Sequence, residues 1–335
     1  MKLAIVGVGL VTPWARSSVE HAFYLRAGVI GPPRSPFVGP DDDPVKVRFC
    51  PWLGPRLDLG ERAEQLASSV LAEALAPLRA RELRPDMVQA CLPRARADRI
   101  AEPVERALGA VGSSPRIGRV WDQAGVFAAL EATARILEDS PRRMVAIVAV
   151  DSFVDIEVLT TRVERGPSPW ADREPPPSEG AAALLLTSPQ HSAAVGLDVL
   201  GTVDEVSVFH DRPTDDNDEA VTAAAMSGAL RKLPASAPWR HVFGQVLVGG
   251  LRRSEWHMAT ARNARRFGQE CEMRSLEGEV GALGAAAGAA DLVYGLASLR
   301  HDTTGLGAEL PEQFLAWSIS PDGTRGLAAV TAARG

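Results

Sequence analysis

The polypeptide is poor in groups that do covalent chemistry. Its three cysteines, Cys50, Cys91 and Cys271, are odd in number, widely spaced and without any C-x-x-C, so neither a disulfide framework nor a thiolate zinc site is expected. Cys91, at the end of a predicted strand, reads as a small buried hydrophobe. No Gly-x-Ser-x-Gly elbow occurs, which counts against an α/β-hydrolase. Gly7-x-Gly9 lacks the third glycine of a dinucleotide fingerprint, and Thr12-Pro13 stands where the helix should open, so the pair reads as a turn and no cofactor is expected. His210-Asp211 and the run Asp215-Asp216-Asn217-Asp218-Glu219 have neither the central glycine nor the terminal glutamate of a calcium loop. Acidic residues at a helix start favourably meet its dipole, and no metal site is expected. His257 stands beside Trp256 in a helical stretch and reads as a surface or packing residue. Arg252, Arg253, Arg262, Arg265 and Arg266 form the one dense basic neighbourhood, suited either to an acidic partner or to a solvated helix face.

The chain that must position these groups has 335 residues, 46% of them hydrophobic and 23% charged, which is enough for a sizeable core in a soluble globular protein. A formal net charge of -6 supplies no electrostatic footprint for nucleic acid. The opening Met-Lys-Leu-Ala-Ile-Val-Gly-Val-Gly goes straight into a strand-like run, and with the cysteine usage it points to a cytoplasmic protein. Val280 to Leu299 carries Asp291 as its sole charge, but its Ala and Gly content favours a core helix over a membrane span.

Periodicity predicts alternating strands and helices. Strands are expected at Lys2–Gly9, Met87–Leu92, Ile117–Trp121, Arg143–Val150, Ala181–Thr187, Val195–Leu200, Val203–Phe209, Cys271–Arg274, Phe314–Ile319 and Leu327–Ala332, with strand and turn over Trp239–Val248. Helices are expected from Ser17 or Ser18 to Gly28, and over Glu61–Arg81, Arg99–Leu108, Ala124–Glu138, Asp216–Leu233, Ser254–Phe267 and Glu279–Leu299. Residues 31 to 58 read as a surface excursion and Asp151–Ser178 as a loop. The alternation runs through two successive halves, 1–190 and 191–335, expected to form one compact unit.

Four blocks in sequence order resemble the β-ketoacyl synthase family of the thiolase fold. They are Ile5 to Pro13; Pro177-Ser178-Glu179-Gly180-Ala181-Ala182-Ala183-Leu184; Gly281-Ala282-Leu283-Gly284-Ala285-Ala286-Ala287-Gly288-Ala289; and Ser318-Ile319-Ser320-Pro321-Asp322-Gly323-Thr324-Arg325. Between the first two, Val120-Trp121-Asp122-Gln123-Ala124-Gly125 resembles the family's nucleophile segment, with glutamine where the cysteine stands. The resemblance implies a five-layered α-β-α-β-α fold with pseudo-twofold halves, usually dimeric. It also implies a Cys-His-His set with a nearby lysine for decarboxylative condensation of acyl thioesters.

Every one of those reactive positions departs from the family. The cysteine is Gln123, the first histidine (eleven residues before Glu255) is Gly244, the lysine is Glu277 and the second histidine is Ala282. A neutral amide cannot attack a thioester, and glycine and alanine offer no side-chain donor for an enolate. The expected protein is therefore a ketosynthase-like pseudoenzyme, resembling a chain-length factor and serving as a scaffold or partner subunit, with a protein partner and with an acyl carrier protein as one candidate. Two other readings stay open: a decarboxylase or acyltransferase using Gln123 with His241, which predicts those side chains in hydrogen-bond reach, and a noncatalytic acyl-chain binding module.

Overall fold

The structure, a computed structural model, describes residues 2–27, 35, 37–38, 44–111, 116–164, 174–211, 222–233, 238–245, 250–301 and 313–333. In chain order the first part runs β1 (Leu3–Val11), α1 (Ser18–Arg26), α2 (Leu59–Ala74), α3 (Ala76–Arg79), β2 (Met87–Leu92), α4 (Ala97–Gly109), β3 (Arg116–Trp121), α5 (Gly125–Asp139), β4 (Met144–Ser152), α6 (Ile156–Glu164), β5 (Glu179–Thr187) and α7 (Pro189–Val195). The second part runs β6 (Gly201–His210), α8 (Ala224–Lys232), β7 (Trp239–Gly244), α9 (Gly250–Arg262), β8 (Phe267–Arg274), α10 (Leu276–Val280), α11 (Ala287–Arg300), β9 (Gln313–Ile319) and β10 (Thr324–Ala332).

The strands lie in the order β3-β2-β4-β5-β1-β6-β10-β9-β7-β8. Outward from the centre, β1-β5-β4-β2-β3 and β6-β10-β9-β7-β8 are the same arrangement twice. In each, the first two pairings are antiparallel and the last two parallel. Among the described residues the two sets pair with each other only where Leu3–Ile5 of β1 meets Gly201–Val203 of β6.

Side-chain alternation along the strands then sorts the core into three parts. Ala146, Val148 and Val150 of β4 pack with α2 and α4, whereas Val145, Ile147 and Ala149 face the opposite way onto α5 and α11. In the second set, Phe314 and Ala316 of β9 face α5 and α11, while Leu315, Trp317 and Ile319 pack with α8 and α9. The layers are therefore α2/α4, sheet, α5/α11, sheet, α8/α9. Strand β4 is buried at every residue because both its faces are covered. Helix α11 is buried along nearly its whole length, which accounts for its lack of a polar face. Among the described residues, no helix is long and apolar enough to cross a membrane.

Several expectations need correcting. Gly7 and Gly9 lie inside β1 and form no turn; a methyl group on either would strike the Ala74 or Val70 carbonyl, so the pair lets α2 settle onto the strand. The helix expected over Glu61–Arg81 breaks at Leu75, where Pro77 opens α3. The Asp151–Ser178 loop contains α6. Val195–Leu200 is no strand: Ser188 caps α7, Pro189 starts it and left-handed Gly196 ends it. The helix expected over Glu279–Leu299 is divided, because Gly281 (φ 92°) and Gly284 (φ 53°) bend the chain between α10 and α11. Helix α8 begins at Ala224, and Asp215 to Glu219 fall outside the described residues.

Candidate functional site

The site is assembled where the parallel strands end, with the bend before α11 closing it. After β3, Asp122 adopts φ 59°, a left-handed conformation that costs free energy outside glycine. Its amide donates to the Leu92 carbonyl at 2.9 Å and its carboxylate accepts the Arg94 amide at 3.0 Å, which hold the bend. Arg94 also reaches Asp322 at 3.2 Å, tying this turn to the one between β9 and β10.

Gln123 follows, half-buried, one residue before Ala124, which caps α5. The amides at this helix start are already engaged. Ala124 donates to the Ser320 hydroxyl at 2.7 Å and Gly125 to the Asp122 carbonyl at 3.1 Å. Gln123 Oε1 and the Ser318 hydroxyl are buried with no hydrogen-bond partner among the described residues. Phe127, one turn into α5, is fully buried against Gly288 and Gly326, neither of which has room for a side chain.

Gly244 ends β7 beside Trp317 of β9. A methyl group at Gly244 would land on the Trp317 indole, which stacks on Trp256 with centroids 3.9 Å apart and planes at 10°. The neighbouring Gln245 accepts the Ile319 amide at 2.8 Å. Glu277 is buried and accepts the Leu283 amide at 2.8 Å, closing the bend at Gly281. Ala282 is half-buried, its amide donating to the Pro176 carbonyl at 2.8 Å.

Further acids surround this bend. Asp151 bonds Arg96 at 2.6 Å and accepts the Ala285 amide at 2.9 Å; burial pushes its carboxyl up, and Arg96 opposes that shift. Asp291 in α11 is fully buried. One of its oxygens accepts the Leu276 amide at 3.0 Å, and the other has no partner among the described residues. Burial, and then the charge of Glu277, hold its carboxyl well above the ordinary range.

His241 is buried three residues before Gly244, roughly 10 Å back along the strand at the usual strand rise. Its Nδ1 lies 3.9 Å from Glu272, and no hydrogen bond between it and Gln123 is present among the described residues. In the basic neighbourhood, Arg266 bonds the Arg231 carbonyl at 2.9 Å and also the Leu233 carbonyl, while Arg262 bonds the Thr222 carbonyl. Those two arginines fasten the ends of the α8 region, leaving Arg253 and Arg265 exposed; Arg252 lies in α9. Among the described residues no group of three or more metal-ligating side chains occurs.

Sequence reasoning missed two buried ion pairs that frame the site. Arg62 holds Glu179 with two bonds at 2.8 and 2.9 Å, and the same carboxylate accepts the Cys50 amide and the Ser152 hydroxyl. Arg325 holds Glu255 at 3.0 and 2.8 Å. Glu179 and Arg325 stand inside recognised blocks, but nothing in the spacing of Arg62 or Glu255 names its partner.

No family model and no curated protein matches the sequence. Solved structures do. The ketosynthase from module 6 of the bacillaene synthase of Bacillus subtilis 168 superimposes with a TM-score of 0.79 at 13% identity, covering 100% of this chain and 73% of that one. The ishigamide ketosynthase/chain length factor gives 0.69 at 16% identity, covering 99% and 100%. A type II polyketide ketosynthase bound to the hexaketide, in complex with its acyl-carrier protein, gives 0.68 at 14% identity over 99% of both chains. This chain has the ketosynthase fold.

The expected five-layered architecture is thus present among the described residues. Within that ketosynthase fold, Gln123 stands at the head of the interior helix α5. Gly244 ends β7, and Ala282 lies in the bend before α11.

Proposed function

We propose that this ketosynthase-fold protein is noncatalytic and acts through a protein partner. The observation that carries the reading is the Trp317 indole lying across Gly244, so that the position for a first imidazole is built over. Gln123 offers an amide for a thiolate, and Ala282 offers no donor. Glu277 and Ser320 are committed to backbone amides. Loss of a single preorganised donor costs about 100-fold or more in turnover, and here the nucleophile is absent as well. Incubated with a malonyl thioester, the purified protein should release no carbon dioxide and form no condensation product above a protein-free blank. Turnover that disappears in Gln123→Ala would overturn the proposal.

The partner reading draws on the sheet ends. Strands β3 and β8 each pair on one side only among the described residues, and β3 exposes Arg116, Ile117 and Arg119. An unpaired edge is a template for a second strand. A second copy, a ketosynthase-fold subunit or an acyl carrier protein meeting Arg253 and Arg265 are the candidates. Light scattering on the native chain and on Ile117→Lys separates self-pairing from the others.

A further inference from the structure

Strand β6 has one residue more than its neighbour β10 where Ala329 and Val330 face Glu205 and Val203, so Asp204 bulges out of the ladder. The bulge brings Val203 and Val206, three positions apart, onto the one face that packs towards α5. On the helix, Glu131, Ala134, Arg135 and Glu138 recur at intervals of three and four residues and so share a face. Between that face and the bulge a cleft of about 190 Å³ stays open, with Leu3 of β1 as its third wall. Asp204 turns away from it to Thr202 and Gln313, and holds Lys2 at 2.8 Å, so the chain's own nearby ammonium does not line the cleft.

The walls and the lip of the cleft differ in chemistry. Leu3 and Val203 are buried, with the half-buried Ala134 and Val206 above them. The lip is acidic. Arg135 bonds Glu131 at 3.1 Å, which neutralises the sole cation among the lining groups. Glu138 and Glu205 are exposed there as well, and the Glu205 carboxylate makes no hydrogen bond or ion pair among the described residues. Apolar walls under a negative lip match an alkyl stem that ends in a positive charge. The volume is below the range of about 300–1,000 Å³ usual for small-molecule pockets, and suits a single inserted side chain.

We infer that this cleft seats a lysine side chain of the protein partner, its stem along Ala134 and Val206 and its ammonium at Glu205. Lysine fits better than arginine because a compact charge on a flexible stem needs no planar set of acceptors. The inference rests on the reading of the chain as one that works through a partner, and it gives that partner a basic contact face. Leu3 belongs to the first set of strands and Val203 to the second, so the occupant would touch both where they pair.

Methyl-detected NMR on the intact chain, labelled at Ala, Leu and Val, tests it by titration with Nα-acetyl-lysine methylamide and with the norleucine analogue, which has a stem but no ammonium. The lysine probe should shift the Ala134, Val203 and Val206 methyls saturably at millimolar concentration, and the norleucine probe should bind about threefold or more weakly. Glu205→Gln should weaken the lysine probe about twofold to fivefold without changing the norleucine response. Ala134→Leu fills the cleft and should abolish both responses. Absence of saturable shifts, or equal responses to the two probes, would overturn the site. These shifts do not report turnover of a thioester, so the lysine seat and the noncatalytic reading can fail separately.

Discussion

At the scale of single residues, Gly244 is held to glycine by its packing against β9. The indole of Trp317 takes the volume that a side chain at 244 would need, and Trp256 stacks behind it. Gly244→Ala should therefore cost about 1–3 kcal/mol in urea denaturation, and Gly244→His more, although glycine to alanine in a strand ordinarily stabilises. Trp317→Ala combined with Gly244→His should recover part of that loss. Parallel stability of native and Gly244→Ala protein would contradict the packing. Asp291 makes a second residue-level case. A carboxyl whose folded value is raised keeps its proton after the unfolded chain has lost it. Its unfavourable contribution therefore grows as pH rises from the usual carboxylate range, about 4, towards the raised value. Asp291→Asn keeps an acceptor for the Leu276 amide and removes the charge. The variant should match the native protein near pH 4 and exceed it by more than about 1 kcal/mol near pH 8. Unfolding curves whose difference does not change with pH would rule this out.

At the scale of elements, the strands and most helices were legible because alternation and apolar periodicity survive in them. Met87–Leu92 was read to the residue. What escaped was governed by partners far along the chain. Gly7 and Gly9 looked like a turn because glycine punctuates local sequence, yet they serve the approach of α2, more than sixty residues away. Gly9→Ala should thus cost roughly 2 kcal/mol or more, with the loss read as a lower urea midpoint. A midpoint equal to that of the native protein would show that α2 can retreat. The bend between α10 and α11 was missed for a related reason. An Ala-Gly run has helical composition, and only the left-handed angles at Gly281 and Gly284, fixed by Glu277 and Asp151, break it. Conversely, α7 carried readable signals in Ser188, Pro189 and Gly196, which outweighed the apolar Leu197, Val199 and Leu200 beyond it. Gln123, Gly244, Glu277 and Ala282 were singled out by resemblance alone. Their neighbours Trp317 and Ser320 were not, because packing and hydrogen bonding across strands leave no spacing rule.

For the whole molecule, the repeated strand order carries a consequence for how the chain holds itself together. Helix α5 belongs by connection to the first five strands but also packs on β6 and β10, while α11 packs on β1 and β5 of the other set. Each half has thus lent its most apolar helix to its sibling. Opening the polypeptide within residues 196–200 should yield two pieces that precipitate when expressed singly and form a soluble one-to-one complex when expressed together. A soluble, monomeric piece on its own would refute this mutual dependence. The ancestry of such an arrangement matters less than its mechanics: neither portion can be discarded, exchanged or evolved alone without leaving a bare sheet behind.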